Sequence, residues 1–454
     1  MIKSKTNAFC LMVRWRVSLI QKQSTSPLGE LLLINIHQCL AGCLSTRRAS
    51  VRHVVAGSVM VCLFLASATI ALSCPFCSAL APTMSDDLRA ATAAVITRCE
   101  SVDADELGFR VGQLRVTVVM KGDPKLKKTL IEKVLLADAA RDEQFWLVGY
   151  GESPVEWTAP MRLSAEAVAY LSDLKTVPES GVKRLEYFLP FLAHQDETIA
   201  ADAYNEFALA SLEDIAELKD KLDRQWSIEQ LTDATVPVYR RRLCWTFLSF
   251  CGTQDDRRLF DQAIEIKQKD ASFDPGMDAA ISCLLSLGGE AALKRIERDY
   301  FDNNDADYLD TFAAISAIRV HGTELNLISQ DRLAESLRHL LRRPKLADLV
   351  IPDLARWKDW TVIDRVAELF VEADDESRFV KPTVVLYLKA CPLPAAAKTL
   401  QRLRRIDPEA VRQAEASMLF NQGVATAPVP PPKDMGTSGQ GQSQRGSEKK
   451  GQEQ

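Results

Sequence analysis

The chain has 454 residues, 47% hydrophobic and 26% charged, an ordinary globular composition with room for two or more domains. A formal net charge of −5 gives no case for nucleic acid, which usually demands a concentrated basic face. The densest basic run, Arg240-Arg241-Arg242, reads as a solvated helix face.

In chain order, residues 1–49 form an extension far longer than a normal export n-region, as though a start codon had been placed too far upstream. Arg47, Arg48, Arg52 and His53 then precede an uncharged apolar stretch, Val54 to Leu72. Ala71 and Ser73 are small residues at the positions a signal peptidase reads before Cys74. A signal peptide over 50–73, cleaved before Cys74, is therefore expected. The basic flank stays in the cytoplasm, so the rest of the chain is exported, to a periplasmic or extracellular location. Two alternatives stay open: retention as an anchor, since about 18 apolar residues can span a bilayer, and lipid attachment at Cys74, for which Leu72 sits one place late. A membrane is a partner only in those two cases.

Of 11 cysteines, Cys10, Cys39, Cys43 and Cys62 precede the expected cleavage point. Cys74, Cys77, Cys99, Cys244, Cys251, Cys283 and Cys391 follow it, an odd set that leaves at least one thiol free or intermolecular if the rest pair. Cys244 and Cys251 share one expected helix and are separated by about 10 Å of rise, too far for a disulfide. Both, with Cys283, read as core packing.

Residues 74–175 have the pattern of a small β-rich module. One strand begins at Ala94-Val95-Ile96, and Phe109 to Met120 alternates, with Val111, Leu114, Val116 and Val118 expected on one side. Lys121-Gly122-Asp123-Pro124 is a turn, and Ile131 to Leu136 and Phe145 to Val148 supply further strands. Ser164 caps a short helix through Leu171. Few strands and much valine suggest an OB-like barrel or partly open sheet.

From 181 to 421 the period becomes helical. Leu185, Phe188, Leu189 and Leu192 form one stripe, and Asp196 opens a helix carrying Ile199, Ala203 and Phe207. The residues between Leu222 and Pro237 read as a connection. Cys244, Phe247, Leu248 and Cys251 end at Gly252; Met277, Ile281 and Leu284 end at Gly288; Leu309, Phe312 and Ala313 end at Gly322. Trp357-Lys358 and Cys391-Pro392 keep the same beat, about 35 residues, which is the interval of a helical solenoid. Residues 422–454 are Pro-, Gly-, Gln- and Ser-rich, a composition that predicts a disordered tail. The expected fold class is α+β: an OB-like sheet module followed by an α-helical solenoid.

The repeats resemble HEAT repeats: Leu189-Pro190-Phe191-Leu192, then Asp196 and Ala200 to Ala203, is similar to their order of helix, acidic turn and Ala-rich second helix, and Ile351 to Phe370 looks like a further copy. That resemblance covers about half the chain and implies protein binding through a concave face. The module's cysteine start, first strand and second strand ending in Lys121-Gly122 resemble a netrin-type module, the layout shared by the tissue inhibitors of metalloproteinases. Carried over, Cys74 alone would take the zinc-chelating role of the inhibitors' first residue. The chain departs from that family, because Cys74-Pro75-Phe76-Cys77 replaces C-x-C and no cysteine falls between Cys99 and Cys244.

No HExxH, GxSxG, P-loop or dinucleotide motif occurs, so no catalytic residue, metal ligand or cofactor is assigned and the chain is read as non-enzymatic. His194, His321 and His339 read as surface or capping residues at helix ends and on a helix. Asp302, Asn304, Asp305 and Asp307 lack the Gly and Glu of a Ca²⁺ loop and read as a connector capping the next helix. Cys74 and Cys77 carry the one chemical expectation. They form a local disulfide in an oxidising compartment, with Cys99 as a further candidate, or else a redox pair or half a metal site. The function expected is that of an exported interaction protein with an unidentified protein partner.

Overall fold

The computed structural model describes residues 74–424 apart from 105, 106 and 153. The N-terminal extension, the expected signal peptide, the four cysteines within them and the tail beyond 424 lie outside the described residues.

Alternating apolar residues make two long strands, β1 (Ala93–Ala104) and β2 (Arg110–Lys121), followed by β3 (Leu130–Val134), β4 (Gln144–Tyr150), β5 (Glu156–Trp157) and β6 (Met161–Leu163). They form an antiparallel sheet in the order β3-β2-β1-β4-β5, with β6 also on β4. Placing β4 beside β1 gives a Greek key. Period-2 alternation then divides the apolar residues between two faces. Ala94, Ile96, Met120, Trp146 and Val148 join the helical core, whereas Val95, Cys99, Leu114, Val116, Phe145 and Leu147 form a separate core on the far side. The ammonium of Lys133 on β3 donates to the Trp157 carbonyl on β5, so the two ends of the strand order approach each other.

Sixteen α-helices are described: α1 (Met84–Ala90) ahead of the sheet, then α2 (Ala165–Asp173), α3 (Val182–Phe188), α4 (Glu197–Ala208), α5 (Leu212–Glu217), α6 (Arg224–Thr232), α7 (Val238–Cys251), α8 (Arg258–Lys269), α9 (Met277–Ile296), α10 (Tyr308–Val320), α11 (Gln330–Arg338), α12 (Pro344–Arg356), α13 (Ile363–Glu372), α14 (Val380–Ala390), α15 (Pro394–Ile406) and α16 (Pro408–Val424). Their starts are encoded locally. Ser164 accepts from the Ala167 amide, Asp196 from Thr198, and Asp307 from Leu309 and Asp310. Replacing Asp307 by alanine should cost about 1 kcal/mol, read as a lower urea midpoint at unchanged slope.

From α4 onward the helices, the short α5 apart, alternate between two layers. The first holds α4, α7, the first half of α9, α10, α12, α14 and α16, each packed on the next; the second holds α6, α8, the second half of α9, α11, α13 and α15. The expected beat falls on the ends of first-layer helices. Gly252 caps α7, α9 breaks at Gly289 (φ 53°, ψ −133°), and α10 passes at His321 into a π-turn that contains Gly322. Ion pairs join neighbouring units at a similar interval: Arg242–Asp278 over 36 residues, Arg319–Asp353 and Arg295–Asp261 over 34, and Arg332–Glu297 over 35.

Several expectations need correction. The connection expected between Leu222 and Pro237 contains helix α6, capped by Asp223. On α10, Leu309 and Phe312 are 70% and 40% exposed, and the helix instead buries Thr311, Ala314, Ile315 and Ile318. The triple arginine is no solvated face. Arg241 is 4% exposed, lies 4.2 Å from the Phe273 ring centroid and donates to the Ala234 and Asp274 carbonyls, while Arg240 and Arg242 pair with Glu197 and Asp278. His321, expected at the surface, is buried.

Candidate functional site

The residues before the sheet form a strap, 74–84, that crosses the first helical layer. Pro75 follows Cys74 at the position that favours a turn, and the Cys77 amide donates to the Cys74 carbonyl at 3.2 Å. This closes Cys74-Pro75-Phe76-Cys77 and brings the two sulfurs to 2.8 Å. Cys74 and Cys77 are only 2% and 7% exposed, and Phe76 is buried between them. Their surroundings come from three helices: Thr246 on α7 hydrogen-bonds Cys74, Cys244 on α7 lies near Cys77, and the charge of Asp278 on α9 acts on Cys77. Tyr204 on α4 feels both thiols.

Helix α4 grips the rest of the strap by its backbone. The Tyr204 hydroxyl donates to the Ser78 carbonyl at 3.3 Å, Asn205 Oδ1 accepts the Leu80 amide at 2.8 Å, and Asp202 Oδ1 accepts the Met84 amide at 2.7 Å. Asp202 Oδ2 accepts from the Tyr170 hydroxyl at 2.7 Å, and beside it Glu206 chelates Arg184 of α3. Three polar side chains of one helix thus hold three points of an extended segment. Asp202, Asn205 and Glu206 went unnoticed in the sequence. Their one signal there is several polar residues crowded into a short Ala-rich helix.

The contact between the two sulfurs lowers the Cys74 thiol below its ordinary value and pushes Cys77 well above it, while burial raises both. The Cys74 carbonyl is engaged by Cys77 and its side chain is buried, so the chelating role implied by the inhibitor resemblance finds no support in this geometry.

Cys99 is not brought to the pair. It sits on the far face of β1, its thiol 3.5 Å from the Ser101 carbonyl, with the sheet between it and the strap. Cys244 and Cys283 are fully buried and burial raises both thiols; Cys251, half-buried, is pushed up to about 11. Among the described residues no group of three or more His, Cys, Asp or Glu is placed to hold a metal ion.

The histidines are scattered. His194 Nδ1 accepts the Asp196 amide, and His339 Nδ1 lies 2.8 Å from Asp302. His321 contacts both the carbonyl and the hydroxyl of Ser282, and burial lowers it to about 4, which keeps it neutral at physiological pH. Within the acidic stretch, Asp307 caps α10 as expected, and Asp302 pairs with His339 and Arg342.

No family model, curated protein or solved structure matches the chain. Among the described residues, no helix is long and apolar enough to cross a membrane. Val54 to Leu72 lies outside them.

Proposed function

We propose that this is an exported, non-enzymatic interaction protein. It binds a protein partner through the first layer of a HEAT-like helical solenoid that carries an OB-like barrel at its head. The observation that carries the reading is the strap: the layer already holds one extended chain segment, by side-chain bonds to its backbone from Tyr204, Asn205 and Asp202. Two-layer alternation with ion pairs 34 to 36 residues apart supports the solenoid. The Greek-key order and the Lys133–Trp157 bridge support a partly closed barrel.

Farther along the same layer, α10 exposes Tyr308, Leu309 and Phe312, with the two aromatic rings stacked at 6.5 Å. Phe379, just before α14, and Leu386 within it are exposed as well. Exposed aromatic residues of this kind are the usual anchors of protein interfaces. A photo-crosslinking residue at Phe312 should give a discrete adduct in the native host, whereas one at Arg402 on α15, in the second layer, should not. Equal labelling from both positions, or a hydrolase or transferase activity of the purified protein, would remove the reading.

A further inference from the structure

We infer that Cys74 and Cys77 are a disulfide site and that their bond locks residues 74–84 across the first helical layer. The inference needs no partner protein and so stands apart from the interaction reading.

Geometry selects this pair. The closed turn holds the sulfurs 2.8 Å apart. Cys99 is separated from them by the sheet, and the other thiol felt at Cys77 is that of Cys244, which belongs to the interior of α7. The chemistry is thiol–disulfide exchange. One of the two cysteines, as thiolate, attacks a sulfur of an external disulfide, either a small-molecule disulfide or that of a thiol–disulfide oxidoreductase, and one thiolate leaves. The other cysteine then loses its proton and attacks the first sulfur in the mixed disulfide, expelling the second thiolate. The pair gives up two protons and two electrons, and the external disulfide becomes two thiols.

Burial sets the order of events. Both sulfurs are closed off from solvent once the strap is seated, so exchange takes place before seating or while the strap is lifted. After seating, the same burial keeps reductants away. The bond fixes the turn that directs Phe76 into the core, which leaves fewer free conformations to the unseated strap than the reduced segment has. Oxidation therefore shifts the strap toward its seated state, where Asn205 and Asp202 wait for the Leu80 and Met84 amides.

The test uses the full chain unfolded in urea and refolded in the presence of oxidised glutathione or of dithiothreitol, followed by alkylation in urea, peptide mapping and amide hydrogen exchange. After oxidation, Cys74 and Cys77 should be joined to each other with the loss of two hydrogens, while Cys99, Cys244, Cys251, Cys283 and Cys391 are alkylated. Reduction should speed exchange at Leu80 and Met84 about tenfold, the scale expected of a short disulfide loop, and leave β1 amides unchanged. A Cys77→Ala chain should match the reduced chain under both treatments. A bond from Cys77 to Cys244, or no bond, overturns the site; a bond without any change of exchange at Leu80 and Met84 overturns the lock.

Discussion

Glu206→Ala is expected to destabilise the chain by about 3–5 kcal/mol, the largest effect of any single polar substitution near the strap. Glu206 chelates Arg184 through Nε at 2.7 Å and Nη2 at 2.5 Å, and both side chains are almost wholly buried. Arg184 has one other acceptor, the Pro178 carbonyl, and packs over the Phe188 ring with the guanidinium carbon 5.1 Å from its centroid. Removing the carboxylate leaves a buried guanidinium with the Pro178 carbonyl as its one hydrogen-bond acceptor and only the buried Asp202 carboxyl near its charge, and that desolvation dominates the loss. The Coulomb energy of the pair is the smaller matter, since much of it offsets the cost of burying two charges. A double variant, Arg184→Met with Glu206→Leu, removes both charges at similar volume and should recover most of the lost stability in a urea titration. If the double variant is as unstable as Glu206→Ala, packing rather than charge is the cause. Arg412–Glu409 at the surface of α16 is the control, and Glu409→Ala should leave the urea midpoint where it was.

How much of this was readable from sequence depended on the range over which each feature is encoded. Helix starts at Ser164, Asp196 and Asp307 were legible because the cap and the amide it serves lie two or three residues apart. The ends near Gly252, Gly288 and Gly322 were legible for the same local reason. Helix α6 was missed because only Trp226, Ile228 and Leu231 are apolar among its nine residues. On α10 one of the three expected stripe residues, Ala313, is buried, but Leu309 and Phe312 stay out. Apolar residues occupy two faces, and Ala314, Ile315, Ala317 and Ile318 go inside. Arg241 depends on Phe273 and His321 on Ser282, 39 residues away, and no local pattern announces either contact. The strap was invisible for a stronger version of that reason: its bonds to Asp202 and Asn205 span 118 and 125 residues. The Cys74–Cys77 pair could be named from its spacing. Which side of the sheet Cys99 took could not, although an odd separation from Ile96 already put those two on opposite faces.

Asp202→Asn is expected to stabilise the chain at alkaline pH, by up to about 3 kcal/mol, and to leave it close to the parent in acid. Asp202 is buried among the Met84 amide of α1, Tyr170 of α2, Arg184 and Tyr187 of α3, and Glu206 of its own helix. Burial raises its carboxyl to about 6 from an ordinary 3.8; the nearby Glu206 adds to the rise, and hydrogen bonds from Tyr170 and Met84 and the charge of Arg184 oppose it. A carboxyl whose folded value lies above its unfolded one binds its proton more tightly in the native state. That contribution is complete below 3.8 and is lost as pH rises through about 6, so the ionised group is a burden at pH 8. Asparagine removes the charge and keeps the acceptor for the Met84 amide, but its amide nitrogen can only donate to the Tyr170 oxygen, so the Tyr170 hydroxyl proton loses its acceptor at a pH-independent cost of about 1 kcal/mol that lowers the gain below that limit. Urea titrations at about pH 5 and about pH 8 decide it: the parent should lose about 1–2 kcal/mol relative to the variant between the two. A constant difference across that range would mean that Asp202 is ionised at no net cost, with Arg184 balancing its charge despite the bond to Glu206. The strap would then be held by an ordinary ion-dipole contact, and its seating would not depend on pH.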